Sequence, residues 1–347
     1  MTRTALVTGA SGLLGRDVVK AFERKGWNVV GTGWTRVKPP SIIKLDLLNP
    51  EDIEQILDDV KPDVVIHCAA NRFPDSCTAD PASATAINVN STERLASIAF
   101  ERDILIIYIS TDYVFSGRPG EAPYTVDATP SPPNVYGQTK YEGELAVLNK
   151  TGGSQSGQDI RQPEATDGKT RVLGVVLRVP VLYGHCAEDD TSKSAIHAVV
   201  DAVYDSQKVT TTASGAPQKI KVDSYAQRYP TATEDVGRVI VDISSLYLSP
   251  ESASRPLPRI LHFSAEQRYT KYEMAKLFAE DVLGFPTDNL EALDPTAAEP
   301  AAPAAAAKTE RPYDSKLDVS VLRGLDIDVS TLNFVAWWRR ELRAFRH

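Results

Sequence analysis

Residues 4 to 15 read TALVTGASGLLG. The first five are β-prone and mostly apolar, and Gly9, Gly12 and Gly15 follow at G-x-x-G-x-x-G spacing. The next stretch, LLGRDVVKAFERKG (13–26), sets Leu14, Val18 and Phe22 on one helical face and stops on Gly26. A strand, a glycine turn and a helix in that order leave backbone amides and a helix N-terminus open to a pyrophosphate, with no Cβ in the way. The competing reading is a tight strand-to-helix turn that holds no ligand.

Outward from this unit the theme repeats. WNVVGTG (27–33), DVVIHCA (63–69), ILIIYIST (104–111) and RVLGVVLRVP (171–180) are continuous apolar runs separated by helical patterns. Such runs predict parallel strands buried on both faces, hence a doubly wound α/β core of the Rossmann type. TEDVGRVIVDISSLYL (233–248) returns to it as a helix. The expected dinucleotide-binding domain spans 1–180, 233–255 and about 311–335; the weaker periodicity of 181–232 and 256–310 predicts a smaller lobe; 336–347 is set apart as a tail. Two stretches, 151–170 (polar, glycine-rich) and 297–312 (alanine and proline), read as surface insertions.

Composition narrows the function classes. At 347 residues, 42% hydrophobic and 24% charged, the chain has the material for a large core, which excludes wholesale disorder. A net charge of -8 argues against nucleic acid as a partner, since that binding neutralises phosphates with a basic surface. No apolar run is long enough for a membrane span, and the N-terminus enters the glycine turn rather than a signal-peptide block, so a cytoplasmic protein is expected. Cys68, Cys77 and Cys186 are odd in number and lack zinc-ligand spacing; they are expected as reduced thiols, with no metal site.

The end of the second strand selects the dinucleotide. GTGWTRVK (31–38) offers Arg36 and Lys38 and no acidic residue to hold a ribose 2′-hydroxyl, which favours a 2′-phosphate and therefore NADP(H). The bland alternative makes Arg36 a solvated loop charge. Further on, NVYGQTKYEGE contains Tyr136-x-x-x-Lys140, two side chains one turn apart on one helix face. A cation beside a phenol is expected to lower its pKa. Thr111, at the end of ILIIYIST, brings a hydroxyl to the carboxyl edge of the sheet, where ligands of such folds bind. Thr111, Tyr136 and Lys140 are thus the candidate catalytic trio: Tyr136 a proton donor to a carbonyl, Thr111 its hydrogen-bonding partner and Lys140 the group that orients the cofactor ribose. Surface decoration is the alternative for a lone Y-x-x-x-K.

TGASGLLG, HCAA (67–70), INVNST (87–92), ISTDYVFSG (109–117), YGQTK (136–140), LRVPVLYG (177–184), RYPTATEDVGRV (228–239), TKYEMA (270–275) and RPYDSKLD (311–318) together resemble the extended short-chain dehydrogenase/reductase superfamily, in the branch of the dTDP-4-dehydrorhamnose reductases. Within it the chain resembles the regulatory β subunits of methionine adenosyltransferase, on RFPD (72–75), SYAQRYPT (224–231) and the closing WWRRELRAFRH (337–347). The resemblance implies NADP contacts at Gly9, Ser11, Gly12, Leu13, Leu14 and Gly15, then at Trp34, Thr35 and Arg36 around the adenosine ribose, and at Asp46 and Leu47 beside the adenine. It also implies contacts from Cys68, Ala69, Ala70 and Arg72 after the fourth strand, from Leu182 near the nicotinamide, and from Tyr136 and Lys140 on its ribose.

The resemblance implies a partner too: the methionine adenosyltransferase catalytic subunit, gripped by a basic-aromatic tail that corresponds here to Arg343, Phe345, Arg346 and His347. Phe334, Trp338, Leu342 and Phe345 also make one apolar helical face, so a terminal helix docked on its own chain is the alternative for the first part of that segment. Sugar reductases of the branch carry a tryptophan where this chain has Val181, which weakens a sugar-reducing role. The trio is nevertheless intact, so two functions follow: a non-catalytic regulatory subunit in S-adenosylmethionine biosynthesis, or an NADPH-dependent reductase of a nucleotide-linked 4-keto sugar.

Overall fold

The computed structural model describes residues 2–152, 172–186, 194–208, 218–250, 252, 256–294 and 309–342. The strands are β1 (Thr4–Thr8), β2 (Asn28–Gly33), β3 (Ile42–Lys44), β4 (Val64–His67), β5 (Leu105–Thr111), β6 (Gly174–Val179), β7 (Leu182–Tyr183), β8 (Ile220–Asp223), β9 (Thr231–Ala232), β10 (Ile260–His262) and β11 (Leu290–Leu293). The helices are α1 (Leu13–Arg24), α2 (Pro50–Val60), α3 (Pro74–Ala79), α4 (Pro81–Thr85), α5 (Ser91–Glu101), α6 (Val135–Lys150), α7 (His197–Ser206), α8 (Thr233–Tyr247), α9 (Lys271–Leu277), α10 (Ser320–Gly324) and α11 (Phe334–Glu341).

Seven parallel strands form the central sheet in the order β10-β6-β5-β4-β1-β2-β3. The alternation of side chains along each strand sorts them to two faces. Ala5 and Val7, Val64 and Ile66, and Leu105, Ile107 and Ile109 pack under α1 and α8, against Leu14, Val18 and Phe22 of the one and Val236, Val239, Ile240 and Ile243 of the other. The intervening Leu6, Val65, Ile106 and Tyr108 face α2, α5 and α6, where Ile53, Leu57, Leu95, Ala99 and Val147 close the opposite layer. Both faces are dry, which explains why these strands read as unbroken apolar runs.

β1 has β2 on one side and β4 on the other, so the chain first winds outward through β3 and then restarts across β1. The carboxyl ends of β1 and β4 therefore flank a topological switch point, the crevice in which open α/β sheets take ligands.

A second core holds the smaller lobe: Tyr183, Val199, Val203, Met274, Phe278, Phe334, Trp337 and Trp338 cluster there. Two boundaries expected from sequence are corrected by this arrangement. Ile260–His262, allotted to the lobe, is the edge strand of the central sheet, paired with β6; three residues are too short a run to display periodicity. Residues 336–341, allotted to the tail, belong to α11, which docks through Phe334, Trp337 and Trp338, each under 5% exposed. Trp337 stands off the predicted stripe and is still buried, donating its indole N–H to Glu234 at 3.0 Å. Arg343, Phe345, Arg346 and His347 lie outside the described residues. Among the described residues no helix is long and apolar enough to cross a membrane, and all three cysteines are free thiols.

Candidate functional site

The glycine turn sits at the switch point and its glycines are sterically required. Gly9 adopts φ +67°, and a Cβ there would lie 2.8 Å from the Ala69 amide nitrogen, beyond β4. A Cβ on Gly15 would stand 2.2 Å from the Gly9 carbonyl oxygen and 2.7 Å from the Ala10 Cα, so α1 meets the turn only through a glycine. Gly12 caps α1 without a side chain, which leaves the first-turn amides of that helix free of any side-chain cap.

Above the turn opens a cavity of about 1030 Å³. Gly9, Ser11, Gly12, Leu13, Leu14 and Gly15 line its floor; Trp34, Arg36, Asp46 and Leu47 line one end; Cys68, Ala69, Ala70, Arg72, Thr111, Tyr136, Lys140 and Leu182 line the remainder. Of the residues expected on the cofactor, Thr35 alone does not line it. Trp34 is 55% exposed at the rim, with the Lys44 ammonium 4.5 Å above its ring. Asn49 caps α2, accepting from the Glu51 amide at 3.1 Å, while Asp46 accepts from the Leu48 amide at 2.9 Å. Cys68 and Leu182 line the cavity and also pack against the main core.

The trio is assembled by α6 and β5. Asn134 caps α6 by accepting from the Gly137 amide at 2.9 Å, which starts the helix one residue before Tyr136 and turns Tyr136 and Lys140 to one side. Thr111 ends β5; its hydroxyl donates to Asp112 at 3.0 Å and accepts from the Tyr113 amide at 3.2 Å.

The electrostatics correct one expectation. Burial raises the Tyr136 phenol well above its ordinary range, and only the Thr111 hydroxyl works downward, against the Asp112 carboxylate and neighbouring thiol and phenol. The lowering expected from Lys140 does not prevail. Lys140 is itself buried, its ammonium 3.9 Å from the centroid of the Tyr108 ring, and burial pushes it down to about 7 although Glu144 opposes the shift. The lysine charge acts instead on β4 and its surroundings, helping burial to hold His67 neutral at about 3 and partly offsetting burial at Cys68, which rises to about 12. The cost of desolvating the ammonium exceeds what it can give a phenol that is desolvated as well.

Behind the trio, Glu144 lies one turn after Lys140 and forms a fully buried pair with Arg178 of β6. Ser110 donates to the same carboxylate at 2.5 Å, and Arg178 reaches His262 of β10 at 3.3 Å. The pair ties α6 to the sheet, and nothing in the sequence spacing of its members announces it.

Sequence reasoning also missed Asp75, Asp201, Lys271 and Arg311, all of which line the cavity. Lys271 and Arg311 occur in TKYEMA and RPYDSKLD, stretches quoted for their resemblance without a role given to their cations.

The sequence matches the RmlD substrate binding domain family over residues 3–155 and 165–344. It is 36% identical over 329 residues to methionine adenosyltransferase 2 subunit beta of Xenopus tropicalis, covering 95% of this chain and 84% of that protein. It is 33% identical to the subunit of the same name from Danio rerio, over 99% of this chain and 92% of the other. The chain belongs to the RmlD substrate binding domain family, among the methionine adenosyltransferase β subunits. The crystal structure of dTDP-4-dehydrorhamnose reductase from Bacillus anthracis in complex with NADP superposes with a TM-score of 0.70 at 20% identity, covering 99% of this chain and 98% of the reductase. That likeness shows the fold: this chain and the reductase share one architecture across essentially their whole length.

Proposed function

We propose that this protein is a regulatory β subunit of a methionine adenosyltransferase, acting in the cytoplasm in S-adenosylmethionine biosynthesis, which holds NADP(H) in the cavity above the glycine turn. The observation that carries the regulatory part is the likeness to β subunits over 95% of the chain. The dinucleotide part is supported by a glycine turn packed so closely on β4 and α1 that a Cβ at Gly9 or Gly15 would strike backbone, with the cavity opening above it, and by Arg36 at an end of that cavity with no acidic residue at the close of β2. In this reading the turn amides take the pyrophosphate, Arg36 takes the 2′-phosphate, and Lys140 and Tyr136 hold the far ribose. The bound nicotinamide would be capable of donating hydride; the chain's own part is to bind and orient it and to keep the Tyr136 proton in place.

The contact with the catalytic subunit is assigned to Arg343, Phe345, Arg346 and His347, with Phe345 as an aromatic anchor and the arginines suited to bidentate pairing. Co-purification with a methionine adenosyltransferase catalytic chain tests this, using the full chain and a chain ended at Leu342. The cut belongs there because Trp337 and Trp338 are structural. A stoichiometric complex with the full chain, lost on truncation, is the expected result; absence of a complex with either form overturns it.

Intact Thr111, Tyr136 and Lys140 lining one cavity favour a second reading, NADPH-dependent reduction of a nucleotide-linked 4-keto sugar. NADPH consumption with a dTDP-4-keto-6-deoxysugar, together with no adenosyltransferase complex, would put that reading first.

A further inference from the structure

Lys140 is 3% exposed and lines the cavity above the glycine turn. Its Nζ makes neither a hydrogen bond nor an ion pair among the described residues; the contact it does make is with the face of the Tyr108 ring, 3.9 Å from the centroid. The groups packed around it offer no counter-ion. Glu144, one turn further along α6, has its carboxylate committed to Arg178 at 2.9 and 2.6 Å and to Ser110 at 2.5 Å. Asp112, also in the cavity wall, accepts from the Thr111 and Ser315 hydroxyls at 3.0 and 2.5 Å. His67, at the end of β4, spends its ring nitrogens on Thr8 and Thr92 at 2.7 and 3.0 Å and is neutral. Burial keeps the Cys68 and Cys77 thiols and the Tyr108 and Tyr136 phenols protonated.

An ammonium in this place has lost its hydration and gains only a ring face and a carboxylate already balanced by arginine, so the free amine is favoured. Its pKa of about 7 agrees with the geometry. A desolvated amine in the wall of an enclosed space is the arrangement that attacks carbonyl carbon. We propose that, in the chain without dinucleotide, Lys140 condenses with a small aldehyde to form an imine. The amine nitrogen bonds to the carbonyl carbon, and the carbonyl oxygen departs as water with both amine protons, so the step requires no oxidant or reductant. The adduct would stand where the far ribose is assigned, which makes aldehyde and dinucleotide mutually exclusive. The reactivity belongs to the amine and its surroundings and does not depend on the dinucleotide reading.

The glycine turn in the same cavity offers amides to a phosphate, so two probes are compared: pyridoxal, and pyridoxal 5′-phosphate, which carries the same aldehyde with a phosphate. The full chain is incubated with each near neutral pH, reduced with cyanoborohydride and mapped by peptide mass spectrometry. Lys140 should be modified at least about tenfold faster than the exposed Lys61 or Lys219, because about half of it is amine near pH 7 against under about 1% of an ordinary lysine. Its rate should level off above roughly pH 8, while the rates of exposed lysines keep rising. Lys140→Arg, which keeps a cation and forms no imine, should leave only the slow background. Faster reaction of the phosphate-bearing probe identifies a phosphorylated aldehyde as the occupant, and equal rates identify the carbonyl alone. Modification of Lys140 no faster than that of Lys61, or of Lys271 ahead of it, overturns the proposal. Saturating NADPH should suppress the reaction at Lys140 and leave Lys61 unaffected; fast modification of Lys140 that NADPH does not slow would uphold the proposal and overturn the dinucleotide reading instead.

Discussion

Glu144 holds Arg178 by two parallel hydrogen bonds, Nε to Oε1 at 2.9 Å and Nη2 to Oε2 at 2.6 Å, with both side chains no more than 2% exposed. Two charges withdrawn from water in this way are tolerable only together. Glu144→Gln or Arg178→Met alone should cost about 3–5 kcal/mol in urea denaturation, since each strands a buried charge or its partners. Replacing both by methionine should recover most of the loss. A double variant as unstable as the worse single one would show that the pair is worth more than apolar packing in its place.

Lys140 makes stability and binding depend on pH in opposite directions. Its folded value, about 7, lies below the ordinary lysine value of roughly 10.4. Between these values the unfolded chain binds more protons, so Lys140 contributes a penalty that is full below about 7 and is relieved as pH rises across the window. NADPH binding favours the ammonium and takes up a proton, so affinity should fall by up to about tenfold per pH unit above the folded value. Fluorescence titrations over roughly two units, repeated with Lys140→Met, check this. The variant should bind weakly and flatly.

Gly15→Ala forces a Cβ to within 2.2 Å of the Gly9 carbonyl oxygen, whereas Gly12→Ala meets the same atom at 3.0 Å. The first should cost about 1–3 kcal/mol and abolish measurable NADPH binding, because α1 must move off the turn. The second needs a shift of a few tenths of an ångström and should retain the fold. Equal behaviour of the two in melting and binding would contradict the geometry.

Arg36→Ala should raise the Kd for NADPH by at least about tenfold, roughly 1.4 kcal/mol, and leave that for NADH nearly unchanged. Parallel losses for both dinucleotides would remove Arg36 from the 2′-phosphate.

Trp338 is fully buried among Tyr183, His197, Phe278 and Phe334. Trp338→Ala should cost about 3–5 kcal/mol. Trp337→Phe, which forfeits the bond to Glu234, should cost about 1 kcal/mol. Ending the chain after Ala336 removes both rings and should unfold the lobe in a thermal melt, whereas ending it after Leu342 keeps every contact described for α11.

Much of this was legible in the chain itself. The glycine turn, the long central strands and the placement of Tyr136 and Lys140 on one helix face follow from backbone sterics and from periods of two and 3.6 residues, which act over a few positions. So does the end of β5 at Thr111. What a lysine does to a tyrosine did not follow, because that depends on how dry both sites are, and dryness is set by whatever packs above them. The tertiary structure alone decided that Glu144 meets Arg178 across 34 residues, that Ile260–His262 joins the central sheet, that Trp337 is buried off the stripe, and that Arg311 reaches Asp75 across 236 residues. Ion pairing and desolvation belong to positions in space, and a sequence states neighbours only along the chain.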